Sequence, residues 1–165
     1  MIRFGFIGTG RISDWVFKGA SEDPRIKVTA ICSRTEEAAK AFIARHPEIT
    51  GARIYTSVED MANDPDIDAI YIGTPNQTHH NYAITALNAG KHVLCEKPFS
   101  ISGDEAREMA AAARDNGKLL MEAMISTFNP NFRAFANHIS NVAPLRQYHS
   151  SYCQYSSKYE GLKNG

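Results

Sequence analysis

The sequence predicts an α/β fold in which a doubly wound parallel sheet is covered by helices on both faces. Short segments rich in β-branched residues alternate with helical segments along most of the 165 residues. The strand segments are apolar throughout, which is typical of parallel strands that are buried on both faces. Six such strands are present, and that number fits the doubly wound order.

Each element has its own local signals. Thr35 caps a helix over residues 36–45, whose acidic first turn suits the helix dipole. Asn76 caps the helix that Gly90 ends, and Ser102 and Glu105 form the capping box of the next one. The glycine-rich turn at residues 8–10 separates the first strand from a helix over residues 11–20. The predicted strands cover residues 2–7, 26–31, 53–55, 68–72, 92–95 and 118–121.

The pattern changes after Glu122. One further amphipathic helix follows around Phe132 and Phe135, and a polar and aromatic stretch over residues 145–159 is predicted to be a strand of a different sheet. One helix and one strand cannot close a core. We therefore expect two domains, residues 1–122 and residues 123–165, of which the second is the start of an α+β domain that is incomplete.

Composition narrows the class of protein. Lys plus Arg equals Asp plus Glu, 18 each, so no net field favours nucleic acid or an anionic membrane. No apolar run reaches the ~20 residues of a membrane span, and the first residues lack a signal-peptide core. We expect a cytoplasmic protein. Cys32, Cys95 and Cys153 are far apart and form no disulfide framework, and no His or carboxylate cluster indicates a metal.

The turn after the first strand carries the chemistry. It reads Gly8-Thr9-Gly10-Arg11-Ile12-Ser13, a GxGxxG pattern with serine at the third small position. Gly8 permits a tight turn, Gly10 lets the backbone approach a pyrophosphate, and Ser13 lets helix and strand pack closely. The strand before and the helix after predict a dinucleotide-binding Rossmann domain. The alternative is a glycine turn that serves only the fold.

The end of the second strand bears on the type of dinucleotide. An NAD site usually has an acidic residue near this point, but this chain has Cys32-Ser33-Arg34. Ser33 and Arg34 can donate hydrogen bonds to a 2′-phosphate. We therefore prefer NADP as the cofactor. NAD stays possible if Arg34 points to solvent.

Two further segments follow strands at their carboxyl ends, where ligands bind in open parallel sheets. Thr74-Pro75-Asn76 follows the fourth strand, although Asn76 has the simpler alternative of a helix cap. Glu96-Lys97-Pro98 follows the fifth strand and places Lys97 near the predicted site of a nicotinamide ring. A lone lysine at such a position is more often a surface residue.

Taken together, the glycine loop, residues 74–79 (TPNQTH) and residues 89–98 (AGKHVLCEKP) resemble the Gfo/Idh/MocA oxidoreductase family in order and spacing. The resemblance covers residues 1 to about 132, and the AGKHVLCEKP segment is its most specific part. Residues 120–124 and 128–130 are most similar to the branch with dihydrodiol and xylose dehydrogenases. Ser13 is a mild departure, since alanine is commoner there.

The resemblance implies an enzyme that moves hydride between a nicotinamide ring and a carbinol carbon of a sugar, polyol or cyclic diol. It implies a catalytic role for Lys97, which would hydrogen-bond the reacting oxygen or relay its proton. Glu96 would orient the site, and Pro98 would follow a cis peptide bond that aims Lys97 inward. Thr74, Pro75, Asn76 and His79 would line the cofactor or its surroundings.

Relatives have about twice this length, and their second domain supplies the substrate pocket, an acid or base histidine and dimer contacts. The resemblance therefore implies that the chain is truncated and inactive by itself, and that the full-length protein is a homo-oligomer. Two alternatives differ in class. A standalone chain would bind dinucleotide without turnover, and a structural fragment would only assemble with a partner, because its aromatic tail exposes apolar surface.

Overall fold

The computed structural model describes residues 1–141 together with residues 144, 146, 147, 149, 151 and 163. Six strands form one parallel sheet in the order β3-β2-β1-β4-β5-β6. The first half of the chain builds outward from β1 in one direction, and the second half builds outward from β4 in the other. The predicted doubly wound fold is therefore confirmed.

The strands agree closely with the pattern of apolar segments, and the helices lie between them. Two 3-10 turns, Asn76–Thr78 and Ile139–Asn141, accompany the α-helices. The strands are β1 (Ile2–Ile7), β2 (Ile26–Cys32), β3 (Arg53–Tyr55), β4 (Ala69–Ile72), β5 (His92–Cys95) and β6 (Leu120–Glu122). The helices are α1 (Arg11–Ser21), α2 (Glu36–Arg45), α3 (Val58–Ala62), α4 (His79–Asn88), α5 (Gly103–Asp115), α6 (Ile125–Phe128) and α7 (Pro130–His138).

Two apolar cores cover the two faces of the sheet. On one face Phe17 of α1 and Phe42 of α2 pack against strand residues such as Phe6 and Ile31. On the other face the core residues of α3, α4 and α5 pack against alternate strand residues, including Ile70 and Ile72 of β4. All four residues of β4 are buried, which is the expected state of a central parallel strand.

The caps mostly follow the sequence signals. Thr35 Oγ1 accepts the Ala38 amide at 3.2 Å, and Ser102 Oγ accepts the Glu105 amide at 3.2 Å. The Glu105 carboxylate reaches back to the amide of Ile101 at 3.1 Å instead of that of Ser102. The second hydrogen bond of the capping box is therefore made with the residue before Ser102 and not with Ser102 itself.

Two boundaries differ from the predicted ones. The Lys118 amide donates to Ala113 O at 2.8 Å, and Gly117 has a φ of +62°, so these residues end α5 in a Schellman motif. The last strand consequently begins at Leu120, not at residue 118. Asn76 does not cap α4, because it opens a 3-10 turn and α4 begins only at His79.

The chain divides into two compact units, Met1–Met124 and Ile125–Gly165. In the second unit, Asn129 caps α7 by accepting the amides of Asn131 and Phe132 through its side-chain oxygen. The aromatic side chains of Phe128 and Phe132 are exposed. The predicted strand over residues 145–159 lies largely outside the described residues, and its assignment to a substrate domain stays a prediction.

An ion pair ties the start of β1 to the residue before β4. Arg3 donates from Nε and Nη2 to the two carboxylate oxygens of Asp68 at 3.0 and 2.7 Å, and its amide donates to Oδ2 at 2.8 Å. These hydrogen bonds from Arg3 lower the pKa of Asp68 to about 2. The pair therefore keeps Asp68 charged and fixes the register of the two central strands at their amino ends.

We expect Asp68→Asn to lower the free energy of unfolding near neutral pH by at most ~1 kcal/mol, because the pair is partly exposed to solvent. A lowered pKa in the folded state gives stability that is present above the ordinary value of about 4 and is lost as the pH falls towards about 2. Urea unfolding at pH 7 and pH 3 measures the difference. Glu48→Gln serves as control, since Glu48 is exposed and lies outside the ion pairs of Arg3. A gap between Asp68→Asn and wild type that widens in acid would contradict this account.

Candidate functional site

A crevice lies at the carboxyl edge of the sheet, where the strand order reverses between β1 and β4. It has a volume of about 510 Å³. Its lining comes from the residues that follow four neighbouring strands and from the start of α4. The lining residues are Ile7, Gly8, Thr9, Gly10, Cys32, Ser33, Arg34, Thr56, Val58, Gly73, Thr74, Pro75, Gln77, Thr78 and Tyr82.

Gly8 and Gly10 have different structural demands. Gly8 has a φ of +100°, and a Cβ there would lie 2.4 Å from Gly73 O, so the turn accepts only glycine. A Cβ on Gly10 would meet nothing within 4 Å. The absence of a side chain at Gly10 therefore leaves open space beside the first amides of α1, which have no acceptor within the helix. Open space beside the free amides of a helix N-terminus can receive a phosphate, and it is called the Gly10 cradle below.

A charged cluster on α1 and α2 holds the loop from behind. Arg45 Nη2 donates to Thr9 O at 3.1 Å and to Asp14 Oδ1 at 3.0 Å. His46 Nε2 lies 2.8 Å from the same carboxylate oxygen. Burial alone would raise the pKa of Asp14, but the hydrogen bonds from His46 and Arg45 lower it below its usual value. No sequence pattern indicated this cluster, because Arg45 and His46 are 31 and 32 positions away from Asp14.

Ser33 and Arg34 lie where β2 ends. Ser33 Oγ is 3.4 Å from Thr9 Oγ1, and the Ser33 amide donates to Tyr55 O at 3.1 Å. Arg34 is exposed and lines the crevice. Negative charge nevertheless lies close to this strand end. Burial, and then the charges of Glu59 and Asp60 in the first turn of α3, raise the pKa of Cys32 to about 11. Neither carboxylate lines the crevice.

The segment after β4 contributes Thr74 and Pro75 to the crevice but not Asn76. Thr74 Oγ1 is 2.7 Å from Thr78 Oγ1, and the Thr78 hydroxyl donates to Pro75 O at 2.7 Å. These hydrogen bonds join the two ends of the segment, and no side chain caps either the 3-10 turn or α4. Tyr82 joins the lining from the second turn of α4, and no sequence motif indicated it.

The Glu-Lys-Pro segment follows β5, the strand beside β4. Glu96 is buried, and its carboxylate accepts hydrogen bonds from the Tyr71 hydroxyl and from the Lys97 amide, both at 3.2 Å. Burial and then the charge of Glu96 raise the pKa of Tyr71, which therefore stays a neutral donor. Lys97 is exposed, and the Lys97–Pro98 peptide bond is cis, as expected from the resemblance.

His79 is placed differently from its predicted role as a cofactor contact. The side chain is fully buried and lies behind the crevice. Its Nδ1 is 2.9 Å from Pro98 O, and its Nε2 is 2.9 Å from Thr74 O. His79 therefore contacts the two loops that bound the site instead of lining the crevice.

Of the predicted cofactor residues, the crevice brings together Gly8, Thr9, Gly10, Ser33, Arg34, Thr74 and Pro75. Six others do not line it: Arg11, Ile12, Asn76, His79, Glu96 and Lys97. Arg11 is exposed at the start of α1, with its guanidinium 5.9 Å from the centre of the Trp15 ring. Eight lining residues were not predicted: Ile7, Cys32, Thr56, Val58, Gly73, Gln77, Thr78 and Tyr82. All but Tyr82 lie at the end of a parallel strand or within six residues after it.

Other kinds of site have no support in the part of the chain that the structure describes. Cys32 and Cys95 are free and buried, and burial first of all raises their thiol pKa values to about 11 and about 12. Neither is therefore a thiolate nucleophile near neutral pH. Among the described residues no three His, Cys, Asp or Glu side chains are placed to hold a metal ion. None of the described helices is both long and apolar enough to cross a membrane.

The sequence from residue 2 to residue 124 matches the family described as "Oxidoreductase family, NAD-binding Rossmann fold". The protein therefore belongs to the Gfo/Idh/MocA oxidoreductase family, and the predicted family and fold are confirmed. The chain is 42% identical over 165 residues to a scyllo-inositol 2-dehydrogenase (NADP(+)) of Bacillus subtilis, covering 100% of this chain and 49% of that protein. It is 38% identical over 135 residues to a trans-1,2-dihydrobenzene-1,2-diol dehydrogenase of Bos taurus, covering 81% of this chain and 39% of that protein.

Solved structures show the same likeness. A 3-ketoreductase from Actinomadura kijaniata in complex with NADP and TDP-benzene superposes with a TM-score of 0.77 at 34% identity, over 85% of this chain and 42% of that one. The chain thus spans about half the length of the curated relatives it matches. The family supports a dinucleotide-binding role for the crevice, and the Gly10 cradle fits a dinucleotide pyrophosphate.

The Gly10 cradle gives a direct test. We expect Gly10→Ala to keep the melting temperature of the wild type, since the new methyl group meets no protein atom. The same methyl group would occupy the phosphate cradle, so the Kd for NADPH should rise by about tenfold or more, which corresponds to ~1.4 kcal/mol. NADPH fluorescence titration measures the affinity. Gly19→Ala on α1 is the matched control, because its Cβ also meets nothing within 4 Å. Equal NADPH affinity in Gly10→Ala and Gly19→Ala would remove the cradle from the site.

Proposed function

We propose that the whole protein is an NADP-dependent dehydrogenase or reductase that acts on the carbinol carbon of a sugar, polyol or cyclic diol. The observation that carries this proposal is the open cradle at Gly10, located at the strand-order reversal of a chain in an NAD-binding oxidoreductase family. When bound, a nicotinamide dinucleotide would accept the hydride as a carbinol becomes a carbonyl, and would supply it in the reverse direction. The residues of this chain hold that cofactor and bound one side of the reaction site.

The binding residues have separate tasks. Gly8 turns the chain, and Gly10 with the first amides of α1 receives the pyrophosphate. Ser33 and Arg34 sit on the crevice wall at the end of β2, where the adenosine ribose would lie. Thr74 and Pro75 line the part of the crevice after β4, towards the nicotinamide side.

Lys97 is the proposed catalytic residue of this half of the protein. The segment that carries it follows β5, and the neighbouring Glu96 is fixed by the Tyr71 hydroxyl at 3.2 Å. An ammonium at the carboxyl edge of the sheet can donate a hydrogen bond to the reacting oxygen and stabilise negative charge that develops on it. As a neutral amine, Lys97 can take up the hydroxyl proton when the carbonyl forms, and the resulting ammonium can return that proton when the carbonyl is reduced.

The preference for NADP rests on charge at the end of β2. Arg34 lines the crevice, whereas the carboxylates of Glu59 and Asp60 do not. A guanidinium binds a 2′-phosphate through two parallel N–H donors, which a 2′-hydroxyl cannot match. Two of the similar proteins also carry NADP in their names, the Bacillus subtilis dehydrogenase and the Actinomadura kijaniata reductase complex.

The proposal has two finer parts. The cytoplasm is the proposed location, because the described cysteines Cys32 and Cys95 are free, as is usual in a reducing compartment. A homo-oligomer formed through the second domain stays a prediction, supported by the exposed aromatic side chains of Phe128 and Phe132 on α6 and α7.

Arg34→Ala tests the cofactor preference. We expect the Kd for NADPH to rise by about tenfold, the size of one hydrogen-bonded charge contact, while the Kd for NADH stays within about twofold. Calorimetric titration with both dinucleotides measures the two values. Arg25→Ala is the matched control, since this substitution removes the same charge from an exposed position just before the amino end of β2. Equal losses for NADPH and NADH would end the argument for NADP.

Lys97→Ala tests the chemistry in the whole protein. Turnover of scyllo-inositol with NADP⁺ should fall by about 100-fold or more, while NADPH affinity stays within about twofold, because Lys97 acts on the substrate oxygen. Lys40→Ala is the control, since Lys40 is exposed and pairs with Glu36 on α2. Unchanged turnover in Lys97→Ala would exclude the lysine from the mechanism. Dinucleotide binding without turnover of any polyol would favour the alternative of a binding module.

A further inference from the structure

His79 is a fully buried imidazole in which both ring nitrogens contact main-chain carbonyl oxygens. Nδ1 is 2.9 Å from Pro98 O and Nε2 is 2.9 Å from Thr74 O. A carbonyl oxygen can only accept a hydrogen bond, so each contact requires an N–H on the ring. Either neutral tautomer satisfies one carbonyl, and the imidazolium satisfies both. The side chain therefore spans the gap between two segments that the sheet alone does not join.

The two carbonyls belong to the two loops that flank the proposed reaction site. Thr74 lines the crevice after β4, and Pro98 is the residue directly after Lys97. Lys97 is also restrained on its other side, because its amide donates to the Glu96 carboxylate at 3.2 Å. Beyond Pro98 the Phe99 amide donates to Glu122 Oε1 at 2.8 Å. The His79 contact with Pro98 thus joins the lysine segment to the crevice wall, in addition to the hydrogen bond from the Glu96 amide to Ile72 O at 2.9 Å.

We infer that His79 is a positioning residue that sets the placement of Lys97 relative to the cofactor crevice. This inference rests on the proposed function for its catalytic consequence, but the bridge itself stands on the two contacts. A displacement of about 1 Å at a reacting group can cost on the order of 100-fold in rate, so a bridge between the two loops controls turnover without touching substrate. His79 acts through Thr74 and Pro98 and is not a catalytic residue.

Two conservative substitutions separate the two ends of the bridge. The side-chain amide nitrogen of asparagine can replace Nδ1–H, so His79→Asn keeps the contact with Pro98 and loses the contact with Thr74. The longer side chain of glutamine places its amide nitrogen near Nε2, so His79→Gln keeps Thr74 and loses Pro98. His80→Gln is the matched control, because the adjacent His80 pairs instead with Glu108 on α5 at 2.8 Å.

Hydrogen exchange in the whole protein measures the two His79 contacts independently of catalysis. In His79→Gln we expect faster exchange of the Lys97 and Phe99 amides and no change at Gly73 and Thr78. In His79→Asn we expect faster exchange of the Gly73 and Thr78 amides and no change at Lys97 and Phe99. The amides of Gly73 and Thr78 report on the Thr74 side, because they donate to Ile7 O and Pro75 O.

Kinetics and binding then measure the consequence. His79→Gln should lower kcat by about tenfold or more with NADPH affinity unchanged, and His79→Asn should weaken NADPH binding more than it lowers kcat. Identical losses of both quantities in the two variants, no loss in either, or failure of both to fold would overturn the inference. The Lys97→Ala result keeps the two proposals distinguishable. If Lys97→Ala is fully active while the exchange pattern appears as described, the proposed role of Lys97 fails and the bridge remains.

Discussion

The close approach of Gly8 to Gly73 determines the geometry of the rest of the site. These residues directly follow β1 and β4, the two strands between which the order of the sheet reverses. The Gly73 amide donates to Ile7 O at 2.8 Å, and the Gly8 amide donates to Cys32 O at 3.0 Å, so three strand ends are joined at one point. The polypeptide turns away on both sides of this point, and the crevice forms between the diverging segments.

Buried polar groups stabilise both edges of the sheet, at the amino ends and at the carboxyl ends of its strands. Lys91 Nζ donates to Asp64 O at 2.6 Å and to Ile67 O at 2.8 Å, which anchors the loop before β4 to the start of β5. Tyr71 donates to Glu96, and His79 bridges Thr74 and Pro98. Each group is expensive to bury unless it is hydrogen-bonded, so each is positioned by partners on neighbouring elements. The exposed Lys97 therefore sits on a segment whose buried parts are constrained.

Local sequence signals accounted for most of the secondary structure and for part of the site. The strands, the Thr35 cap and the glycine turn were predictable because each depends on residues within one or two turns of chain. The start of β6 and the start of α4 were not predictable, because they depend on the hydrogen bonds that the preceding residues make in the folded chain. The Lys118 amide donates to Ala113 O at the end of α5, and a 3-10 turn over residues 76–78 precedes α4.

The sequence alone determined the alternation of strands and helices, the glycine loop and the family, because these properties belong to short contiguous segments. For the same reason it showed that Ser33 and Arg34, with no carboxylate, follow β2. Only the tertiary structure decided which residues meet in the crevice. Tyr82 and Thr56 line it through the packing of α4 and β3, whereas the Arg45 contact with Thr9 spans 36 positions. The position of His79 differs from the predicted one for the same reason. A motif records that a histidine follows Thr74 by five residues, but only the packed chain brings Pro98 to its other nitrogen.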